Sequence, residues 1–423
     1  MRFVLVICGL LAAALGVASP VAAADTDSLR LRASYSVDAT FNWGNRQVSV
    51  RTIADVTNTS SSAVSHIVFN LGALRMGHGH VGAVFVNNNS VTPNVSDQTI
   101  VVPVSPALGV GAHTPVSISY TATLSTSTSG DYTEFAQTGG VMTAYRWIPW
   151  LSRATKFDRP SVGEPWVTPI SPSVRVTLTS DRRLTYATSG RRSVDNGLTQ
   201  TFVANNVRDF NFSAAPDYKV ASRTVRGTKI TFYYRKLSPT AVLNTAAGSF
   251  NSYSARIGAY PFSNLAIAET MSGGDDIESP SLVFIEPTSS LLAWRVAHEV
   301  AHQWFYAVVG NDQPAQPFAD EALTDFIARD YVNSWARPKC GTTANLDQSI
   351  YQLGDCYPWV IYVQGNLYLK AYRDQVGSAA FYRGLANYYS AYKYKIGGTR
   401  QAIDTIDHAT GITYHHERFP TLY

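Results

Sequence analysis

His298-Glu299-Val300-Ala301-His302, continued by Gln303-Trp304-Phe305, is the stretch on which the reading of this chain turns. It lies inside residues 291–309, whose apolar spacing predicts one long amphipathic helix. Side chains four residues apart project from the same helical face, so both imidazoles reach a single metal ion. Glu299 stands on an adjacent part of that face, near the water a catalytic zinc carries, where a carboxylate serves as general base. Only nine histidines occur in 423 residues, so this spacing is uncommon by chance. Its place in mid-helix, beside Trp304 and Phe305, favours an active-site helix packed into a core over two satisfied histidines and a surface glutamate.

Zinc accepts nitrogen and carboxylate donors, and a catalytic zinc takes three from the protein and keeps one position open. Eighteen residues separate His302 from Glu321, which begins the next predicted helix, residues 320–335. A short connection brings that helix back across the first and offers Glu321 as the third ligand. Asp325 lies one turn further on the same face. It either accepts the outer ring N–H of a ligating histidine, fixing the ring, or stands as a solvated helix carboxylate.

The remainder divides at about residue 222. Residues 25–222 read as a β-rich domain, a sandwich or an open curved sheet. The predicted strands are 47–58, 65–71, 99–104, 115–123 and 173–179, each short, β-branched and bounded by turn residues. Residues 125–130 form a polar loop. Residues 223–423 read as a separate α+β domain, with strands at 229–234, 264–269 and 281–285 and further helices at 241–257, 360–375 and 379–392. The fold class is therefore α+β in two domains. At the front, Arg2, an apolar run and Ala22-Ala23-Ala24 make residues 1–24 an export signal cleaved before Asp25. No other stretch is apolar and long enough to span a membrane, so no stable span is expected after cleavage. Cys8 leaves with the signal. Cys340 and Cys356 remain as an even pair in an exported chain, which predicts a disulfide. Net charge is only +4, and lysine and arginine form no run, which argues against a nucleic-acid partner.

At this point the chain resembles the gluzincin aminopeptidases, the family of membrane alanyl aminopeptidase and leukotriene hydrolase. The matching residues are HEVAHQWF at 298–305 and FADEALTDF at 318–326. RIGAYPF at 256–262 is similar to the family's Gly-x-Tyr-Pro-Phe segment. DDIESPSLVF at 275–284 is similar to its exopeptidase motif, Gly-x-Met-Glu-Asn, with Glu278 at the glutamate. IYVQGNLYL at 361–369 is similar to its Tyr-x-Lys-Gly motif, with Tyr362 at the tyrosine. The resemblance implies a saddle-like N-terminal domain followed by a thermolysin-like zinc peptidase domain. It implies one Zn2+ held by His298, His302 and Glu321, with Glu299 as base and Tyr362 over the oxyanion. Glu278 would bind the substrate's α-ammonium, and peptides would be the substrates. On residues alone Tyr362 is a packing tyrosine. Departures are Asp275 for glycine, Ile277 for methionine, Ser279 for asparagine, Gln364 for lysine and Asp320 for the asparagine before the third ligand. The Glu321–Asp325 spacing is more like thermolysin. The sequence also stops soon after the catalytic half, so the family's C-terminal helical domain is expected to be absent.

The expected function is that of a secreted zinc metallopeptidase, an aminopeptidase. The alternatives are a zinc endopeptidase with an open cleft and a non-catalytic binding module that retains the fold.

Overall fold

The computed structural model describes residues 27–127, 134–154, 167–341 and 343–423. The export signal at 1–24 and the end of the polar loop at 125–130 lie outside the described residues. The first half is built of β-sheets. Gln47–Asn58 shows why: its buried and exposed positions alternate along the strand, so one face can meet a core while the other meets water. It pairs antiparallel with Leu31–Phe41, which in turn runs parallel to Val174–Ser180. These belong to an eight-stranded sheet in the order Arg191–Asp195, Thr199–Ala204, Val174–Ser180, Leu31–Phe41, Gln47–Asn58, His113–Thr123, His80–Val86 and Asn89–Val91. Two four-stranded sheets pack on it. The core between the sheets is aromatic, with Phe41, Trp147 and Phe212 in mutual edge contacts at 4.9–5.6 Å, the geometry that ring quadrupoles favour.

The second half has its own core, drawn from Ile230 to Phe419. Its sheet runs Lys219–Val225, Thr228–Tyr234, Asn264–Glu269, Leu282–Ile285, Ile277–Ser279. Lys219–Val225 straddles the expected division at 222/223 and pairs wholly with Thr228–Tyr234. The sheets thus change hands a few residues earlier, before Lys219. Helix Pro239–Arg256 begins two residues before the expected 241, with Pro239 at its first turn and Ser238 accepting from the Ala241 amide.

The helix predicted over 291–309 is a correction. It spans Leu292–Ala301 only, and His302 is its C-cap. Beyond it the chain turns wide: the Ala307 amide donates to His302 O and the Val309 amide to Trp304 O. The carbonyls of Ala307 and Val308 face Arg208, a buried arginine from the first half. A long-range guanidinium thus takes carbonyls of the turn that follows the helix, groups that even a helix reaching 309 would have left without an internal partner. The helix predicted over 360–375 is likewise divided, into a π-helix, Pro358–Gly365, and an α-helix, Asn366–Val376. Helix Thr399–Thr410 was not read from the sequence.

Cys340 and Cys356 are joined as a disulfide with Cα atoms 5.8 Å apart. Replacing both by serine is expected to lower the unfolding free energy by about 3 kcal/mol, the chain-entropy value for a loop of this length. Urea denaturation of the two chains checks it; an unchanged midpoint would show that the loop is held by its other contacts. No helix among the described residues is long and apolar enough to cross a membrane.

Candidate active site

The active-site helix Leu292–Ala301 and the ligand helix Glu321–Val332 cross so that three donor atoms converge. His298 Nε2 and His302 Nε2 are 3.1 Å apart. Glu321 Oε2 lies 3.3 Å from the first and 3.4 Å from the second. A tetrahedral zinc with donors at about 2.0–2.1 Å needs donor–donor separations of about 3.3–3.4 Å, so the triangle has the size of one face of such a site. All three residues are buried.

The outer ring atoms show which nitrogens face inward. Around His302 Nδ1 stand Asp320 Oδ1 at 2.9 Å and the Phe305 carbonyl at 3.1 Å. Both are acceptors, so Nδ1 carries the hydrogen and Nε2 presents a lone pair. His298 Nδ1 lies 3.4 Å from Asp325 Oδ1. Two lone pairs 3.1 Å apart beside a carboxylate repel unless a cation lies among them. The surroundings reinforce this. Burial disfavours a charged His298 ring, yet Asp325 and Glu321 outweigh it and raise its pKa to about 9. At His302 burial is again opposed, here by Glu278, Glu321 and Asp320, and its pKa lies well above the ordinary imidazole value. Glu321 is held far below the usual carboxylate range, against its burial, by the two histidines. The pocket therefore favours positive charge, and its donor set fits one zinc ion.

Asp325 is fully buried, which removes the reading of a solvated carboxylate. It accepts from Trp294 Nε1 at 2.8 Å, from Arg329 Nε at 2.7 Å and from Asn366 Nδ2. Asp320 was seen in the sequence only as a departure. The structure gives it to His302 as Asp325 is given to His298. Gln313 Nε2, also unanticipated, donates to Glu321 Oε1 at 3.1 Å.

Glu299, Glu278 and Tyr362 line the same cleft, together with Asp276, Trp294 and Arg295. Burial pushes the Glu299 carboxyl up to about 8, against the pull of His298 and His302. Tyr362 rides on the π-helix, a distortion that recurs at functional sites, and its ring stacks on His298 with centroids 5.7 Å apart. Burial first and Glu321 second hold its phenol well above the ordinary value. Gly365 lets this helix approach, since a Cβ there would lie 2.7 Å from Ala322 Cβ, beside the third ligand. Gln364, which stands for the family's lysine, points away from the cleft to the disulfide loop, accepting from the Ala344 amide and donating to Gly341 O.

Glu278 sits on Ile277–Ser279 at the end of the second half's sheet. Two clamps fix it there. Gln303, directly after His302, donates to Ser279 O at 2.9 Å and accepts from the Ser281 amide at 2.9 Å and the Tyr260 hydroxyl at 3.1 Å. Arg295 pairs in bidentate fashion with Asp276 and donates to the carbonyls of Thr288 and Glu286. The segment 256–262 thus acts through Tyr260, and through Gly258, whose carbonyl accepts from Trp304 Nε1 at 2.8 Å.

No family profile matches the sequence, and no curated protein does. Solved structures do match. An M1 zinc metallopeptidase from Deinococcus radiodurans superposes with a TM-score of 0.70 at 20% identity, over 93% of this chain and 92% of that one. A mutant of the same enzyme bound to a Tyr-Ser-Ala substrate gives 0.69 at 19% identity over 93% of each. A two-domain M1 zinc metallopeptidase mutant bound to L-arginine gives 0.70 at 19% identity over 94% of each. The chain has the fold of the two-domain M1 zinc metallopeptidases.

Proposed function

We propose that this chain is a zinc metallopeptidase that hydrolyses peptide bonds and releases residues from the N-terminus of its substrates. The observation that carries this is the convergence, in one buried cleft, of the His298–His302–Glu321 triangle with Glu299 and Tyr362. The division of labour is a thermolysin-like second half bearing the chemistry and a saddle-like β-rich first half, meeting between Ala215 and Lys219. The structures similar to it hold a tripeptide and an amino acid, in keeping with a short peptide and a released residue as ligands here.

When bound, zinc supplies Lewis acidity, making water a better nucleophile and the substrate carbonyl a better electrophile. Glu299 takes a proton from the attacking water and hands it to the departing amine. Tyr362 donates a hydrogen bond to the oxyanion as it forms. Glu278 binds the α-ammonium of the substrate, and because Gln303 and Arg295 fix its strand, it sets the reach to one residue from the N-terminus.

The deciding test compares a free peptide with its N-acetylated form, each with and without chelator. Cleavage of the free peptide, lost on acetylation and on chelation, supports the reading. Equal cleavage of both peptides would make the chain an open-cleft endopeptidase, and a purified chain without zinc or activity would leave only a binding module. Tyr362→Phe is expected to lower kcat about 10²–10³-fold with little change in KM, as loss of one oxyanion donor does. A change in KM alone would return Tyr362 to packing. We also read residues 1–24 as a cleaved signal that exports the protein from the cell. Recovery from the medium with Asp25 at the N-terminus would support this, and retention with Met1 would not.

A further inference from the structure

Arg208 belongs to the β-rich half and is buried, 2% exposed. Its guanidinium donates to neutral carbonyls: Thr168 O at 2.8 Å, and Ala307 O, Lys395 O and Val308 O at 3.4–3.5 Å. It enters the wide turn after His302 against Gly310, where a Cβ would lie 2.0 Å from Nη1. Carbonyls satisfy a guanidinium's N–H groups but do not cancel its charge, and a buried charge without a counter-charge is expensive. Burial pulls its pKa down to about 10, with Tyr306 opposing the fall, Arg146 adding to it and Asp320 opposing it. The neighbouring Asp209 is engaged by Arg146 at 3.2 Å, and Arg146 also donates to the Tyr306 hydroxyl at 3.0 Å. Arg208, Arg146, Tyr306 and Asp320 border one small cavity where the two halves meet. Asp320 is fully buried and holds His302 Nδ1 at 2.9 Å.

We propose that Arg208 is a positioning residue for the metal ligand His302, acting from the β-rich half through Asp320. An amide at position 320 would accept the same Nδ1–H without bringing charge. A buried carboxylate there brings a negative charge behind the ligand, and Arg208 balances it. The arginine also shapes the turn that carries the Phe305 carbonyl to the same nitrogen. The two halves of the chain are thereby coupled at the second histidine, and the interface is part of what sets the metal affinity.

The proposal rests on the zinc reading above. The test is a double-mutant cycle on the full chain, with zinc affinity measured by competition against a chromogenic chelator. Arg208→Met is expected to weaken zinc binding by about 10-fold or more in the wild-type background, the range for loss of support behind a ligand. In the Asp320→Asn background the same change should have much less effect, because the charge it balances is gone. Arg208→Lys, which keeps the charge, should bind zinc within a few-fold of wild type. An equal loss in both backgrounds, or no loss in either, overturns the coupling. Should Arg208→Met alone fail to fold, the double variant decides: recovered folding supports the pairing, and continued failure overturns it. A wild-type chain that takes up no zinc overturns the metal reading itself, which is a different result.

Discussion

Replacing Glu299 by glutamine is expected to reduce peptide hydrolysis by about 10²–10⁴-fold, the usual worth of a positioned acid–base group, while zinc content stays near one per chain. The change keeps the side chain's volume and removes its charge and its ability to carry a proton. The donor triangle consists of His298, His302 and Glu321, so the metal has no direct need of Glu299. Stability gives a second readout. Burial pushes the Glu299 carboxyl up to about 8, which means its ionised form is disfavoured where it sits. A neutral amide in the same place should leave the melting temperature unchanged or higher, as happens when a functional group kept at some cost is removed. Turnover with a peptide substrate, metal analysis and a melting curve on the same preparation check all three. Normal turnover with bound zinc would remove Glu299 from the mechanism. Loss of zinc with the activity would make it a structural support instead.

The sequence carried this site because its geometry is local. Two histidines four apart on a helix share a face whatever surrounds them, and Glu321 is reached through one short connection. The alternation in Gln47–Asn58 is equally local, and that strand appears where it was expected. What escaped depends on partners far along the chain. The active-site helix ends at His302 where the chain turns back on itself, Tyr306 at φ 123° donating its amide to Val309 O, and Arg208, about a hundred residues earlier, takes carbonyls of that turn. Periodicity over 291–309 contains no trace of that arginine. Asp320 was visible as a substitution, yet its role follows from a ring orientation that only the fold supplies. The π-helix under Tyr362 has the same cause. Its apolar pattern suits a regular helix, while Asn366 donates to both Tyr362 O and Asp325 and ties the widened turn to the ligand helix.

Asp325→Ala is expected to cost about 3–5 kcal/mol of stability, the loss that follows when one partner of a buried ion pair is removed. It is also expected to weaken zinc binding about 10–100-fold, through the loss of support behind His298. The two effects share one carboxylate. Oδ2 holds Arg329 Nε at 2.7 Å, and Oδ1 holds Trp294 Nε1 at 2.8 Å and faces His298 Nδ1 at 3.4 Å. Alanine leaves a buried guanidinium, an indole N–H and the Asn366 amide without this acceptor at once, each of which is expensive inside a protein, and removes the carboxylate that faces His298 Nδ1. Arg329 retains the Ser334 carbonyl and the Trp294 face, 4.6 Å from its guanidinium carbon, neither of which carries negative charge. Asp325→Asn separates the contributions. Its amide oxygen can still accept from one donor, so part of the hydrogen bonding survives while the charge opposite Arg329 is lost. Stability should then fall by an intermediate amount, and zinc affinity less than for alanine. Urea denaturation of the metal-free chains isolates the first effect, and chelator competition the second. If Asp325→Ala unfolded at the wild-type denaturant concentration yet bound zinc weakly, the carboxylate would serve the ligand alone. If it lost stability but kept its affinity, His298 would be held by the helix without Asp325, and the role assigned to that residue would be wrong.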